Sequence, residues 1–131
     1  MSDPGPIELR LPRLPQSVSV ARAFVRDALT GLAPDALATA SLLTSEVVTN
    51  AVLHGQGDEI NISVRRTDHG CVVEVADANP VVPHQRQHSV DAGVGRGLTL
   101  VRDLSSAWGV RETPGGRFSK LVWFEVDPAA D

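Results

Sequence analysis

An α+β two-layer sandwich is the fold class this sequence predicts, with a mixed, mostly antiparallel sheet covered by helices on one face. Three observations lead there. Helical patterns dominate residues 17–54, alternating strand patterns dominate the second half with one short helical segment between them, and no regular strand–helix–strand winding is evident. At 131 residues the default is a single domain, 1–131, with an ordered core over about 7–126.

The elements follow in order. Residues 1–6 and 127–131 are rich in Pro, Ala, Asp and Gly and are expected to fray. Ile7-Glu8-Leu9-Arg10-Leu11 alternates as an edge strand would. Ser17 or Ser19 is a candidate cap for a helix to about Leu32, with Gly31 near its end. Pro34 and Asp35 suit the first turn of a second helix, which ends at His54 and Gly55. Ile60, Ile62 and Val64 alternate with Asn61, Ser63 and Arg65. Asp68-His69-Gly70 then turns the chain into Cys71–Ala76, a strand that stops at Asp77. A short helix is expected from about Gly97 to Leu104. Trp108–Arg111 is a weak strand pattern, and Leu121–Val126 is a strong one.

Hydrophobic residues make up 42% of the chain, enough for one core without staples. A net charge of −4 argues against general binding to nucleic acid or a membrane surface, since both demand a positive field. The single cysteine, Cys71, excludes an intramolecular disulfide and fits a reducing cytoplasm. No apolar run reads as a membrane span, and the first residues lack the basic and apolar regions of a secretory signal. The expected setting is therefore cytoplasmic.

Polar groups sit on an apolar stripe of the second helix. With Glu46 at the origin, Asn50 lies at about 40° and His54 at about 80°, among Leu42, Leu43, Val47 and Leu53. A carboxylate there must be paired, or must face water or a ligand. In the plain alternative Glu46 pairs with an arginine, Asn50 bonds backbone and His54 caps the helix. The chemical alternative is a hydrated Mg²⁺ held by few protein oxygens, beside an activated hydroxyl or water. Val48 and Val52 point the other way, so this helix is expected to be covered on more than one side.

Later in the chain Gly93, Gly95 and Gly97 alternate before Leu98, Leu100, Val101 and Leu104. A glycine-rich entry into a helix presents free N–H groups to an anion. The run matches neither of the familiar phosphate-loop patterns, and a hinge would read the same way. Asp77, ending an apolar strand, is placed to accept a hydrogen bond from an amino group such as adenine N6. It is equally good turn chemistry in Asp77-Ala78-Asn79-Pro80. The long stretch 78–92 has no clear period, as in a functional lid or a disordered segment. Its His84 and His88 read as solvated histidines or a metal pair.

That order of features resembles the ATP-binding domain shared by gyrase, Hsp90, histidine kinases and the mismatch-repair protein MutL. Within it, the chain looks most like the stand-alone anti-sigma factors that are also serine-protein kinases, and their actinobacterial relatives. The resemblance covers about residues 8–126. Glu46-x-x-x-Asn50 with Ala51 and His54-Gly55 matches the family's N box, Asp77 its first glycine box, and Gly93-Val94-Gly95-Arg96-Gly97-Leu98 its second. Gly115-Gly116 followed by Trp123-Phe124 resembles its closing turn and strand.

The resemblance implies roles. Asn50 would hold Mg²⁺ on the ATP phosphates, Glu46 would be the general base, and Asp77 would read adenine. Gly93, Gly95, Gly97 and the Leu98 amide would cradle phosphate, Arg96 would neutralise it, and residues 80–92 would form the lid. His54 and Asn79 would line the pocket, and Ser119 would supply the closing hydroxyl. One departure stands out: the first glycine box is usually Asp-x-Gly-x-Gly, whereas Asp77-Ala78-Asn79-Pro80-Val81 has no glycine.

Two functions compete on this reading. One is an ATP-dependent serine/threonine-protein kinase and anti-sigma factor, acting on a small antagonist protein and a sigma factor. The other is a partner-switching module that uses nucleotide only as a conformational ligand. A detached histidine-kinase catalytic domain is weaker, because no helix pair with a phosphoacceptor histidine precedes the domain. Arg22 and Arg26 on the first helix are a candidate partner or dimer surface, or simply solvated; a homodimer is implied by the dimerisation common among relatives.

Overall fold

The computed structural model describes residues 5–78, 95–113 and 116–129. Among the described residues five strands form the sheet: β1 (Ile7–Pro12), β2 (Glu59–Arg66), β3 (Cys71–Asp77), β4 (Ala107–Glu112) and β5 (Lys120–Val126). Among the described residues three helices cover it: α1 (Ser17–Ala28), α2 (Pro34–His54) and α3 (Gly95–Leu104). Spatial order in the sheet is β1-β2-β3-β5-β4, and all four pairings are antiparallel. The α+β sandwich is thus observed, with a more uniform sheet than the mixed one expected.

Strand alternation decides which side the helices take. Ile60, Ile62 and Val64 of β2, Val73 and Val75 of β3, and Val122, Phe124 and Val126 of β5 are buried on one face. Cross-strand partners share a face, so Val73 sits beside Phe124 and Val75 beside Val122. The next pair in that row is Asp77 and Lys120. On the other face Arg111 meets Glu74 at 3.1 Å, and the Arg10 guanidinium lies 5.4 Å from the centre of the Phe118 ring. There the Trp123 indole lies against Gly109, where a Cβ would come within 2.8 Å of its Nε1.

α2 is the central helix. Leu43, Val47, Val48, Ala51 and Val52 are all buried, because α1, α3, β3 and β5 pack around it. Coverage on more than one side is therefore observed. By length and composition α2 alone among the described residues could cross a membrane, which differs from the reading of the sequence. Half of its apolar window is buried inside the fold, as in a core helix.

The ends of the helices differ from the sequence reading: α1 stops at Ala28 rather than near Leu32, α3 starts at Gly95 rather than about Gly97, and the expected serine cap is not made. No side chain caps α1; its N-cap is Gln16, and the Ser17 hydroxyl instead donates to the Pro12 carbonyl at 2.7 Å, fastening α1 to β1. α2 starts at Pro34 and ends at Gly55 as expected. Arg13 closes its far end: Nη1 donates to the Val52 carbonyl and Nε to the Gly57 carbonyl, both at 2.6 Å. A cation on the Val52 carbonyl, in the last turn of α2, complements the helix dipole.

Cys71 lies in the core at the start of β3, and burial pushes its thiol up to about 11. The folded chain keeps the thiol neutral while the unfolded chain ionises at lower pH. Its contribution to stability is full below the unfolded value and is lost as pH rises from about 9 to about 11. Urea unfolding across that window should show stability falling less steeply in Cys71→Ala than in the wild type; equal slopes would contradict this placement.

Candidate functional site

Three elements meet at one pocket. Its walls are Val47, Asn50, Ala51 and His54 from α2, Val75 and Asp77 from β3, and Lys120 and Val122 from β5. The helical spacing of four places Asn50 and His54 one turn apart on the side of α2 that faces the sheet end. Asn50 is half-buried there and His54 is exposed. Glu46 lies one turn earlier, half-buried, outside the pocket wall and in none of the ion pairs among the described residues.

The stripe that carries Glu46 and Asn50 is more open than its apolar neighbours imply. Leu42 is 42% exposed and Leu53 66%. α2 is apolar almost all round, so the wheel cannot say which face is covered. Solvent reaches the Glu46 side of the helix without the cost of full burial. Arg22, from α1, is half-buried and its Nη1 donates to the Ser45 Oγ at 2.9 Å, beside Glu46. It is a tie between two helices, whereas Arg26 is exposed.

Asp77 is pinned from several directions. Its side chain is 2% exposed, and Oδ2 lies 3.1 Å from Lys120 Nζ, itself on a side chain 4% exposed. Its carbonyl accepts from the Ser119 N–H at 3.0 Å, and the next residue, Ala78, donates to the Gln56 carbonyl at 3.1 Å. Gly55 backs onto the carboxylate: a Cβ there would lie 2.9 Å from Asp77 Cγ and 2.3 Å from the Ala51 carbonyl oxygen. Gly57, at φ +87°, takes a left-handed conformation that side chains resist, and a Cβ would meet Ala78 at 2.8 Å. Two glycines thus let the end of α2 touch the end of β3.

Lys120 is the residue that sequence reasoning missed. The signal was present: Lys120 precedes Val122 by two, so alternation puts it on the core face. Ser119 holds Asp77 through its backbone and is not among the pocket walls. α3 starts at Gly95, so Gly95, Arg96, Gly97 and Leu98 form its first turn. The Leu98 side chain is buried in the core. Asn79, Gly93, the 80–92 segment with His84 and His88, and Gly115 lie outside the described residues.

The pocket therefore combines an amide and an imidazole from a helix with a carboxylate at a strand end, over an apolar floor. A family model described as the histidine kinase-like ATPase domain matches residues 11–123. The chain belongs to that family. Membership carries ATP binding with it, and the matched span contains α1 to α3, β2 to β4 and most of β5. No curated protein matches the chain in sequence.

Gly55→Ala should lower stability by about 1–3 kcal/mol, because the new methyl has backbone and Asp77 where it must go. Urea unfolding checks this; a variant as stable as the wild type would show that the helix end and Asp77 are not held so closely.

Proposed function

We propose that this chain is an ATP-dependent regulatory serine/threonine-protein kinase and anti-sigma factor, acting on a small antagonist protein and a sigma factor. The observation that carries the nucleotide part is the convergence of Asn50, His54 and Asp77 on one pocket. The Asp77 carboxylate accepts the adenine 6-amino group. The apolar walls Val47, Val75 and Val122 receive the ring. The resemblance to stand-alone anti-sigma kinases supports the choice of substrate and partners.

The donor set suits Mg²⁺. That ion takes one or two protein oxygens and leaves its other positions to water and phosphate, and the half-buried Asn50 amide offers one such oxygen. When bound, the ion neutralises phosphate charge. Glu46, one turn away and open to solvent, takes the proton of the attacking hydroxyl. That oxygen bonds to the γ-phosphorus as the bond to the β-phosphate oxygen breaks, and ADP leaves with the electron pair. Most of the acceleration is positioning and charge stabilisation. In this reading the first-turn amides of α3, Gly95 to Leu98, with Arg96, hold the phosphates.

A second reading is a partner-switching module for which ATP is only a conformational ligand. Two observations favour it: Asp77 is already paired with Lys120, and Asp77-Ala78-Asn79-Pro80-Val81 has no glycine where the first glycine box of relatives is usually Asp-x-Gly-x-Gly.

Calorimetry with Mg·ATP and transfer of labelled phosphate to the cognate antagonist separate the two. Asn50→Ala should abolish saturable ATP binding. Glu46→Gln should keep binding and slow transfer by about 10²–10⁴-fold. Wild-type transfer rates in Glu46→Gln would contradict the base assignment; ATP binding without any transfer in the wild type would establish the second reading.

A further inference from the structure

Lys120 shares a pocket wall with Asp77, where the nucleotide reading above puts the base. It enters β5 two residues before Val122 and four before Phe124, so it faces the helices with them. Its Nζ lies 3.1 Å from Asp77 Oδ2 with both side chains almost wholly buried. The space left free in the pocket is about 10 Å³, the room for one water. A purine ring does not fit beside the pair as it stands. Base and ammonium therefore compete for one carboxylate and one volume.

We propose that Lys120 sets nucleotide affinity at this site: it holds Asp77 in the nucleotide-free chain, and a purine 6-amino group enters only by taking its place. The inference rests on the nucleotide reading above and adds a residue and a sign to it. The exchange replaces an ion pair by a hydrogen bond from a neutral amine. A lysine stem is long and flexible enough to carry its head towards water as the base arrives. Entry is therefore costly in the wild type. Replacing the ammonium by an apolar group removes a buried cation from beside Asp77, which weakens the free chain. Bound nucleotide gives that carboxylate a donor again. One substitution thus moves stability and affinity in opposite directions, which a merely structural lysine would not do.

The test compares wild type, Lys120→Met and Lys120→Arg by calorimetric titration with Mg·ATP and by thermal unfolding with and without it. Lys120→Met should melt below the wild type when free, bind ATP at least about tenfold tighter, and gain more Tm from nucleotide. Lys120→Arg, which keeps a cation beside Asp77, should show no such gain in affinity. If the wild type binds and Lys120→Met binds equally or more weakly, the inference is overturned and the nucleotide reading stands. No saturable binding by either at millimolar ATP overturns both. Should Lys120→Met fail to fold, ¹⁵N-lysine labelling of the wild type decides. The Lys120 ammonium should be protected from water exchange when free and lose that protection with ATP; an ammonium still protected with ATP bound overturns the inference.

Discussion

α2 carries both the centre of the core and one wall of the site, so the two are built together. Its 21 residues are apolar enough to be packed by α1, α3 and the sheet at once. Leu43, Val47 and Val48 fix the helix against its neighbours. That packing fixes Asn50 and His54 in turn, since a helix is rigid over one or two turns. Arg13 clamps the far end, and Gly55 lets it approach β3. A change that shifts α2 to relieve the core would move the amide and imidazole away from Asp77.

The second constraint is electrostatic. One face of β3 and β5 runs Val73 with Phe124, then Val75 with Val122, and ends in Asp77 with Lys120. An apolar row that finishes in a buried ion pair stores an unusual opportunity. The carboxylate is desolvated in advance, so a donor that reaches it is strongly held, yet any donor must first contend with the ammonium. In the proposed nucleotide reading the contender is the adenine 6-amino group. The pair joins strand register to local stability, and under the proposal to the ease of nucleotide entry as well.

Much of this was legible in the sequence. α2 could be bounded at Pro34 and His54 because Pro at the first turn and Gly after the last are strong punctuation. Asp77 stood out as a carboxylate closing a run of Val, Ala and Cys. Other features were not legible, for physical reasons. Leu42 and Leu53 read as core on a helical wheel, but a wheel gives angles and not neighbours. Ser17 looked like a cap, yet its hydroxyl bonds the Pro12 carbonyl, a choice made by the approach of β1. Arg13 sits between two prolines in an irregular stretch and carries no periodic signal for its bonds to Val52 and Gly57. Lys120 falls just before the Leu121–Val126 pattern; only the register with Asp77 shows it as an inward-facing member of β5.

The measurement that tests the account most directly is a titration of ¹⁵N-labelled protein with Mg·ATP followed by amide chemical shifts. If the site lies where α2, β3 and β5 meet, the largest changes should fall on Asn50 to Gly55, Asp77 to Ala78 and Lys120 to Val122. Changes confined to the opposite face of the sheet, around Arg10, Arg111 and Trp123, or no changes at saturating nucleotide, would contradict it.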